Sequence, residues 1–110
     1  MIFKLLFTNQ AVQDLQKLKA NCSFTKRYKA VCKALAFLES NPRHPGLNTH
    51  KYQTLAGKNG EEIFEAYAEN KTPAAYRIFW HYGPGKDIIT ILFTFQVPGL
   101  SYFGFSVAHV

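Results

Sequence analysis

The apolar positions change period once along the chain. Residues 2–7 are apolar apart from Lys4, and Thr8-Asn9-Gln10 ends the run, which predicts a short buried strand. Thr8 or Asn9 can then cap a helix running to about Ala20, with Val12, Leu15 and Leu18 on one face. Residues 21–23 read as a turn, with Ser23 placed to cap a second helix. In that helix Tyr28, Val31, Cys32, Leu35 and Leu38 recur at helical spacing. Asn41-Pro42 stops it, because the residue before a proline is pushed out of the helical region. Two helices joined by so short a turn should form an antiparallel hairpin.

Residues 42–60 carry Pro42, Pro45, Gly46, Gly57 and Gly60 and read as a long connection, a kind of segment that often bears function. Beyond it the period becomes two. Residues 61–69, 75–82 and 87–95 read as three strands, with turns at 70–74 and 83–86. The expected fold is α+β: strand, helix, helix, then a three-strand meander, with the helical hairpin packed on one face of a single small sheet.

Composition agrees with that size of fold. A chain of 110 residues, 47% of them hydrophobic, has enough apolar material for one core, so a single domain over 1–110 is expected. Residues 88–110 hold no Asp, Glu, Lys or Arg, but Gln96, Pro98-Gly99, Ser101, Gly104 and Ser106 break the stretch into strand-length pieces. The apolar start is too short for a secretory signal, so a soluble cytoplasmic protein without a membrane partner is expected. Cys22 and Cys32 make no disulfide scaffold, and no Cys/His cluster has zinc-like spacing. Neither metal nor cofactor is expected.

Charge adds direction. Residues 1–58 hold ten Lys and Arg against Asp14 and Glu39, whereas residues 59–110 hold three against five acids. That asymmetry suits an anionic partner, a nucleic acid or an acidic protein segment, although a solvated basic helix produces it too. Lys26, Arg27, Lys29 and Lys33, on the polar side of the second helix, are the candidate phosphate contacts there.

Three short motifs narrow the reading. They are His50-Lys51-Tyr52-Gln53-Thr54-Leu55-Ala56-Gly57, then Ile63-Phe64-Glu65-Ala66-Tyr67, then Tyr76-Arg77-Ile78-Phe79-Trp80. Together they resemble the RelE/ParE superfamily of toxins from type II toxin–antitoxin systems. In that pattern a His/Lys segment ends in Leu-x-Gly, an acidic strand follows, and then a Tyr-Arg-hydrophobic strand. The resemblance runs from the first strand to about Phe95. It implies a cognate antitoxin protein as partner. For the nuclease branch it implies metal-free cleavage of messenger RNA on the ribosome, by side chains on the concave sheet face. A second branch inhibits DNA gyrase without those residues.

Metal-free RNA cleavage needs a proton taken from the 2′-hydroxyl, charge stabilised on the phosphate, and a proton given to the 5′-oxygen. Arg77 is the candidate phosphate clamp, since a guanidinium binds two oxygens at once. Alternation puts Glu65, Tyr67 and Glu69 on one face of their strand, and Arg77, Phe79 and His81 on one face of the next. A hairpin symmetric about Thr72 sets Tyr67 opposite Arg77 and Glu65 opposite Phe79, with carboxylates diagonal to Arg77 on either side. Glu65 is then the candidate general base, or the group that orients Arg77; a purely structural Arg–Glu pair is the alternative. His50 and His81 are candidate proton-transfer groups, and Lys51 is a candidate acid or phosphate contact. Each of the three has a plain alternative as a loop, strand-end or solvated residue. Tyr67, Tyr76 and Tyr82 have the chemistry to stack on RNA bases, although strand aromatics commonly pack instead; Trp80, on the other face, belongs to the core.

The end of the chain departs from the pattern. Nuclease members generally follow the last core strand with a polar catalytic residue, whereas Thr94-Phe95-Gln96-Val97-Pro98-Gly99-Leu100 has none there. Tyr102 and His109 lie farther on, within an atypical apolar tail at 95–110. The reading is therefore a ribosome-dependent endonuclease toxin. A gyrase inhibitor, or a degenerate toxin that binds antitoxin without chemistry, is the alternative.

Overall fold

The structure, a computed structural model, describes residues 2–69 and 75–96. Strand β1 (Lys4–Phe7) leads into helix α1 (Asn9–Ala20), a single 3₁₀ turn (Cys22–Phe24) and helix α2 (Thr25–Ser40). A second 3₁₀ turn (Pro45–Leu47) precedes strands β2 (His50–Ala56), β3 (Glu62–Tyr67), β4 (Tyr76–Tyr82) and β5 (Ile88–Gln96). The five strands form one sheet in the order β1-β5-β4-β3-β2. β1 runs parallel to β5, and the other neighbours pair antiparallel.

The α+β fold and its element order are as the periodicity predicts, with one strand more. β2 lies within the segment read as a connection, and its burial shows why it escaped notice. Only Tyr52 and Leu55 are partly buried, three residues apart rather than two, and the pairing to β3 shifts register between Lys51 and Ala56. A bulged edge strand does not alternate. β1 is likewise an edge strand, bonded to β5 on one side, so it is half-exposed rather than buried, with Ile2 and Phe7 in contact with solvent.

Thr8 caps α1, its hydroxyl accepting from the Ala11 N–H at 3.1 Å. Ser23 does not cap α2. Asn21 caps the 3₁₀ turn instead, and α2 begins at Thr25 with no side-chain cap bond. Both helices pack on one sheet face, where Ala11, Leu18, Val31, Ala34 and Leu38 meet Ala66, Ile78, Trp80, Ile89 and Ile91. Leu15 and Leu35 pack at the margin of that core, but Val12 is 41% exposed and Cys32 is exposed, because the helices turn Ala11 and Ala34 toward the sheet instead.

On the other face Ile63, Phe79, Leu92 and Phe93 form a second cluster, with Tyr52, Leu55 and Phe95 packed against it. Leu92 is an extra residue in β5, since Phe79 pairs with Phe93 but Trp80 pairs with Ile91. Beyond Ile91, β5 has outrun β1, and α1 serves its open edge. The Thr8 hydroxyl donates to the Leu92 carbonyl at 2.5 Å, and the Asp14 carboxylate accepts from the Thr94 N–H at 2.9 Å. The turn after β4 uses Gly83 and Gly85 at φ +86 and +94, a region that side chains disfavour. The turn predicted at 70–74 and the tail from 97 onward, with Tyr102 and His109, lie outside the described residues. No helix among the described residues is long and apolar enough to cross a membrane.

Candidate functional site

Strand pairing assembles the site. Tyr67 stands opposite Arg77 and Glu65 opposite Phe79, the register of a hairpin symmetric about Thr72. β2 adds His50 opposite Glu65 from the other side. Three strands thus bring His50, Glu65, Tyr67 and Arg77 together on the face opposite the helices.

Glu65 is the hub, and it is only 2% exposed. One carboxylate oxygen accepts from Arg77 Nη1 at 2.7 Å, and the other lies 2.7 Å from His50 Nε2. The Arg77 guanidinium lies over the Tyr67 ring, 4.2 Å from its centroid, and that ring also sits 5.7 Å from the His50 ring. An anion this buried requires such partners. The His50 Nδ1 faces the Asn48 carbonyl at 3.1 Å. Both ring nitrogens therefore meet oxygen atoms. Access is graded: the His50 side chain is 48% exposed and that of Arg77 18%. The Arg77 Nε is buried with no hydrogen-bond partner among the described residues.

The remaining candidates lie elsewhere. Glu69 does not flank Arg77, because β3 ends at Tyr67 and alternation ends with it. Glu69 instead bonds Arg27 Nε at 3.1 Å and accepts from the Tyr76 N–H at 3.0 Å. Arg27 also donates to Gln96 at 3.3 Å and lies over the Tyr76 ring. Lys26, Lys29 and Lys33 are exposed on α2, whose packing places them on the helical side of the sheet, away from Glu65. Lys51 follows His50 in β2 and so points to the opposite face, where it pairs with Glu62. His81 shares the face of Arg77, but it is buried and hydrogen-bonded through Nδ1 to the Tyr82 carbonyl at 2.8 Å. It lies four positions along the strand from Arg77, roughly 13 Å of rise.

Tyr76 is packed rather than displayed. Its hydroxyl meets Thr94 Oγ1 at 2.9 Å, and burial pushes its ionisation above the usual tyrosine range. Glu61 is held below the usual carboxylate range by backbone N–H groups, its own and that of Asn59, in the β2–β3 turn. Among the described residues no group of three or more His, Cys, Asp or Glu is placed to hold a metal ion.

The sequence marks the connection before β2 as a segment of the kind that bears function, but singles out neither Arg43 nor His44 in it. Arg43 and His44 wall a cleft of about 550 Å³ whose other side includes His50, Phe64, Trp80 and Tyr82. Its only sequence signal was the density of prolines and glycines.

No protein-family model matches the sequence, and no curated protein matches it significantly. Solved structures do. The archaeal RelE–RelB complex from Pyrococcus horikoshii OT3 matches with a TM-score of 0.62 and 18% identity, over 87% of this chain and 96% of that one. A double mutant of the E. coli toxin RelE in the free state matches at 0.57 and 13% identity, over 88% and 85%. The toxin–antitoxin complex RelBE2 from Mycobacterium tuberculosis matches at 0.55 and 20% identity, over 87% and 99%. With two helices on one face of a single five-stranded sheet, this chain has an α+β fold like that of the RelE toxins.

Proposed function

We propose that the chain is the toxin of a toxin–antitoxin pair and an endoribonuclease that cleaves messenger RNA on the ribosome with side chains alone. The observation that carries the reading is the His50–Glu65–Arg77 constellation. It joins a phosphate-binding fork to a half-exposed imidazole through one buried carboxylate. Arg77 holds the scissile phosphate and answers the charge that builds on it. As the 2′-oxygen bonds to phosphorus, the bond from phosphorus to the 5′-oxygen breaks. The 2′ proton leaves to water, and the His50 Nδ1–H turns from the carbonyl of exposed Asn48 to give its proton to the departing 5′-oxygen, to be restored from solvent. The products are a 2′,3′-cyclic phosphate and a 5′-hydroxyl end.

Glu65 positions both cations in this reading and is not the base, because so buried a carboxylate offers no free side to a hydroxyl. Tyr67 supports the guanidinium plane from beneath. The partner is an antitoxin, as in the RelE–RelB and RelBE2 structures, and a neighbouring reading frame encoding it should co-purify with this chain at moderate salt.

One observation favours a second reading, a toxin that binds antitoxin or inhibits gyrase without cleaving RNA. The Arg77–Glu65 pair is already closed and mostly buried, as a structural pair would be. Cleavage of ribosome-bound message by wild type, Arg77→Lys and Arg77→Ala separates the two. Loss of one preorganised donor costs about 10²–10³ in rate, so both variants should fall by that much while folded. A folded Arg77→Ala protein that cleaves at the wild-type rate removes Arg77 from the chemistry. Wild type with no cleavage but with altered DNA supercoiling establishes the gyrase reading.

A further inference from the structure

The cleft between the 41–49 loop and the sheet lies on the helical side, away from the Glu65 centre, and among the described residues shares only His50 with it. We infer that it is a nucleobase subsite, holding an unpaired base of an RNA that passes the sheet edge at His50. The inference rests on the ribonuclease reading for the identity of the RNA, but the binding itself is a separate matter.

Three features point to a base. The first is a wall of aromatic faces. Phe64 covers the buried Trp80 ring at 4.9 Å and 24°, and Tyr82 stands edge-on to both at 5.6 and 4.9 Å while remaining 40% exposed, so Phe64 and Tyr82 supply the open aromatic surface. Planar aromatic surfaces accept any base by stacking.

The second is polarity. Arg43 and His44 face this wall with His50, and no Asp or Glu lines the cleft. His44 Nδ1 accepts from the Gly46 N–H at 2.9 Å, so the ring keeps its proton on Nε2 as a donor. The indole N–H of Trp80 is buried with no hydrogen-bond partner among the described residues. A lining rich in donors and free of carboxylates suits the carbonyl and ring-nitrogen acceptors of a base, together with its phosphate.

The third is preorganisation. The loop is tied down by bonds from the Arg43 N–H to Asn41 and from the Thr49 hydroxyl to the Pro42 carbonyl, and the His44 ring stacks on Phe37 at 3.9 Å. A volume of about 550 Å³ is that of a small-molecule site.

Trp80 is the single tryptophan of the chain, so its indole cross-peak in a ¹H–¹⁵N spectrum is unambiguous, and its ring borders this cleft. The probes are the four nucleoside 5′-monophosphates, ribose 5-phosphate and a short polyglutamate peptide, titrated into the full chain. At least one nucleotide should shift the Trp80 peak saturably, and ribose 5-phosphate and the peptide should not. Arg43→Ala and His44→Ala should each weaken the binding about tenfold, the order of one base contact. Arg43→Gln stands in if either fails to fold. No shift with any nucleotide, an equal shift with ribose 5-phosphate, a shift with polyglutamate alone, or affinity unchanged in folded variants would each overturn the subsite. Message cleavage is not read in this titration. A chain that binds nucleotide here but cleaves nothing keeps the subsite and loses the nuclease reading, and the converse result separates them as cleanly.

Discussion

At the scale of single residues, Glu65 determines what its neighbours can do. A carboxylate removed from water is tolerable only while its cations stay in place, so Arg77 has a structural duty whether or not it touches RNA. Arg77→Ala should therefore cost about 3 kcal/mol of stability, the order seen when one partner of a buried pair is removed. Arg77→Lys should cost less, because it keeps a charge near Glu65. If the pair acts as a unit, Glu65→Gln combined with Arg77→Ala should be less destabilising than the two single changes added, with a coupling of about 0.5–3 kcal/mol. Urea unfolding of the four proteins measures it, and simple additivity would show that the pair carries no energy of its own. Much of this residue pair was legible beforehand, because a hairpin register follows from alternation and turn length. His50 was a candidate by residue type and by its place in the His/Lys motif, but no alternation revealed that β2 existed to bring it opposite Glu65. The flanking role expected of Glu69 failed for a local reason: β3 ends two residues earlier.

At the scale of elements, the join between α2, β4 and β5 rests on Tyr76. Its hydroxyl reaches Thr94 while the Arg27 guanidinium covers its ring. Burial raises its ionisation, so the folded state holds the phenolic proton more tightly than the unfolded chain does. The stability this contributes is complete below the unfolded value of about 10 and is lost as pH rises through the folded value. Tyr76→Phe should lower stability near neutrality by about 0.5–1.5 kcal/mol, the worth of one hydrogen bond. It should also flatten the decline above about pH 10, where the phenol would otherwise ionise. Unfolding curves at neutral and alkaline pH decide this, and an unchanged alkaline slope would assign the decline to other groups. The helices were well marked in the sequence, Thr8 and Asn41-Pro42 setting their outer limits. The capping of α2 was not, because Asn21 spends its side chain on the preceding 3₁₀ turn. Nor was the solvent exposure of Val12, which depends on the crossing of α1 over β5 rather than on period.

At the scale of the whole molecule, the sheet separates two chemistries. The lysines of α2 stand on the helical side and the Glu65 centre on the other, so the basic first half of the sequence does not converge on one surface with Arg77. β5 lies between β4 and β1 and joins the two ends of the described chain, with Thr8 bonded to Leu92, 84 residues further on. A chain cut before Ile88 would lose Ile89 and Ile91 from the core and leave β1 without a neighbour. It should show no cooperative thermal transition. The same arrangement governs how the protein comes into being. During synthesis β1 and the helical hairpin emerge early but have no sheet to close upon, and β4 presents an unpaired edge until β5 follows. Contacts this distant in sequence make closure slow relative to helix formation. Any activity that depends on Arg77 being set against Glu65 therefore waits until translation of β5 is finished, so an interrupted nascent chain should be inert and prone to aggregation.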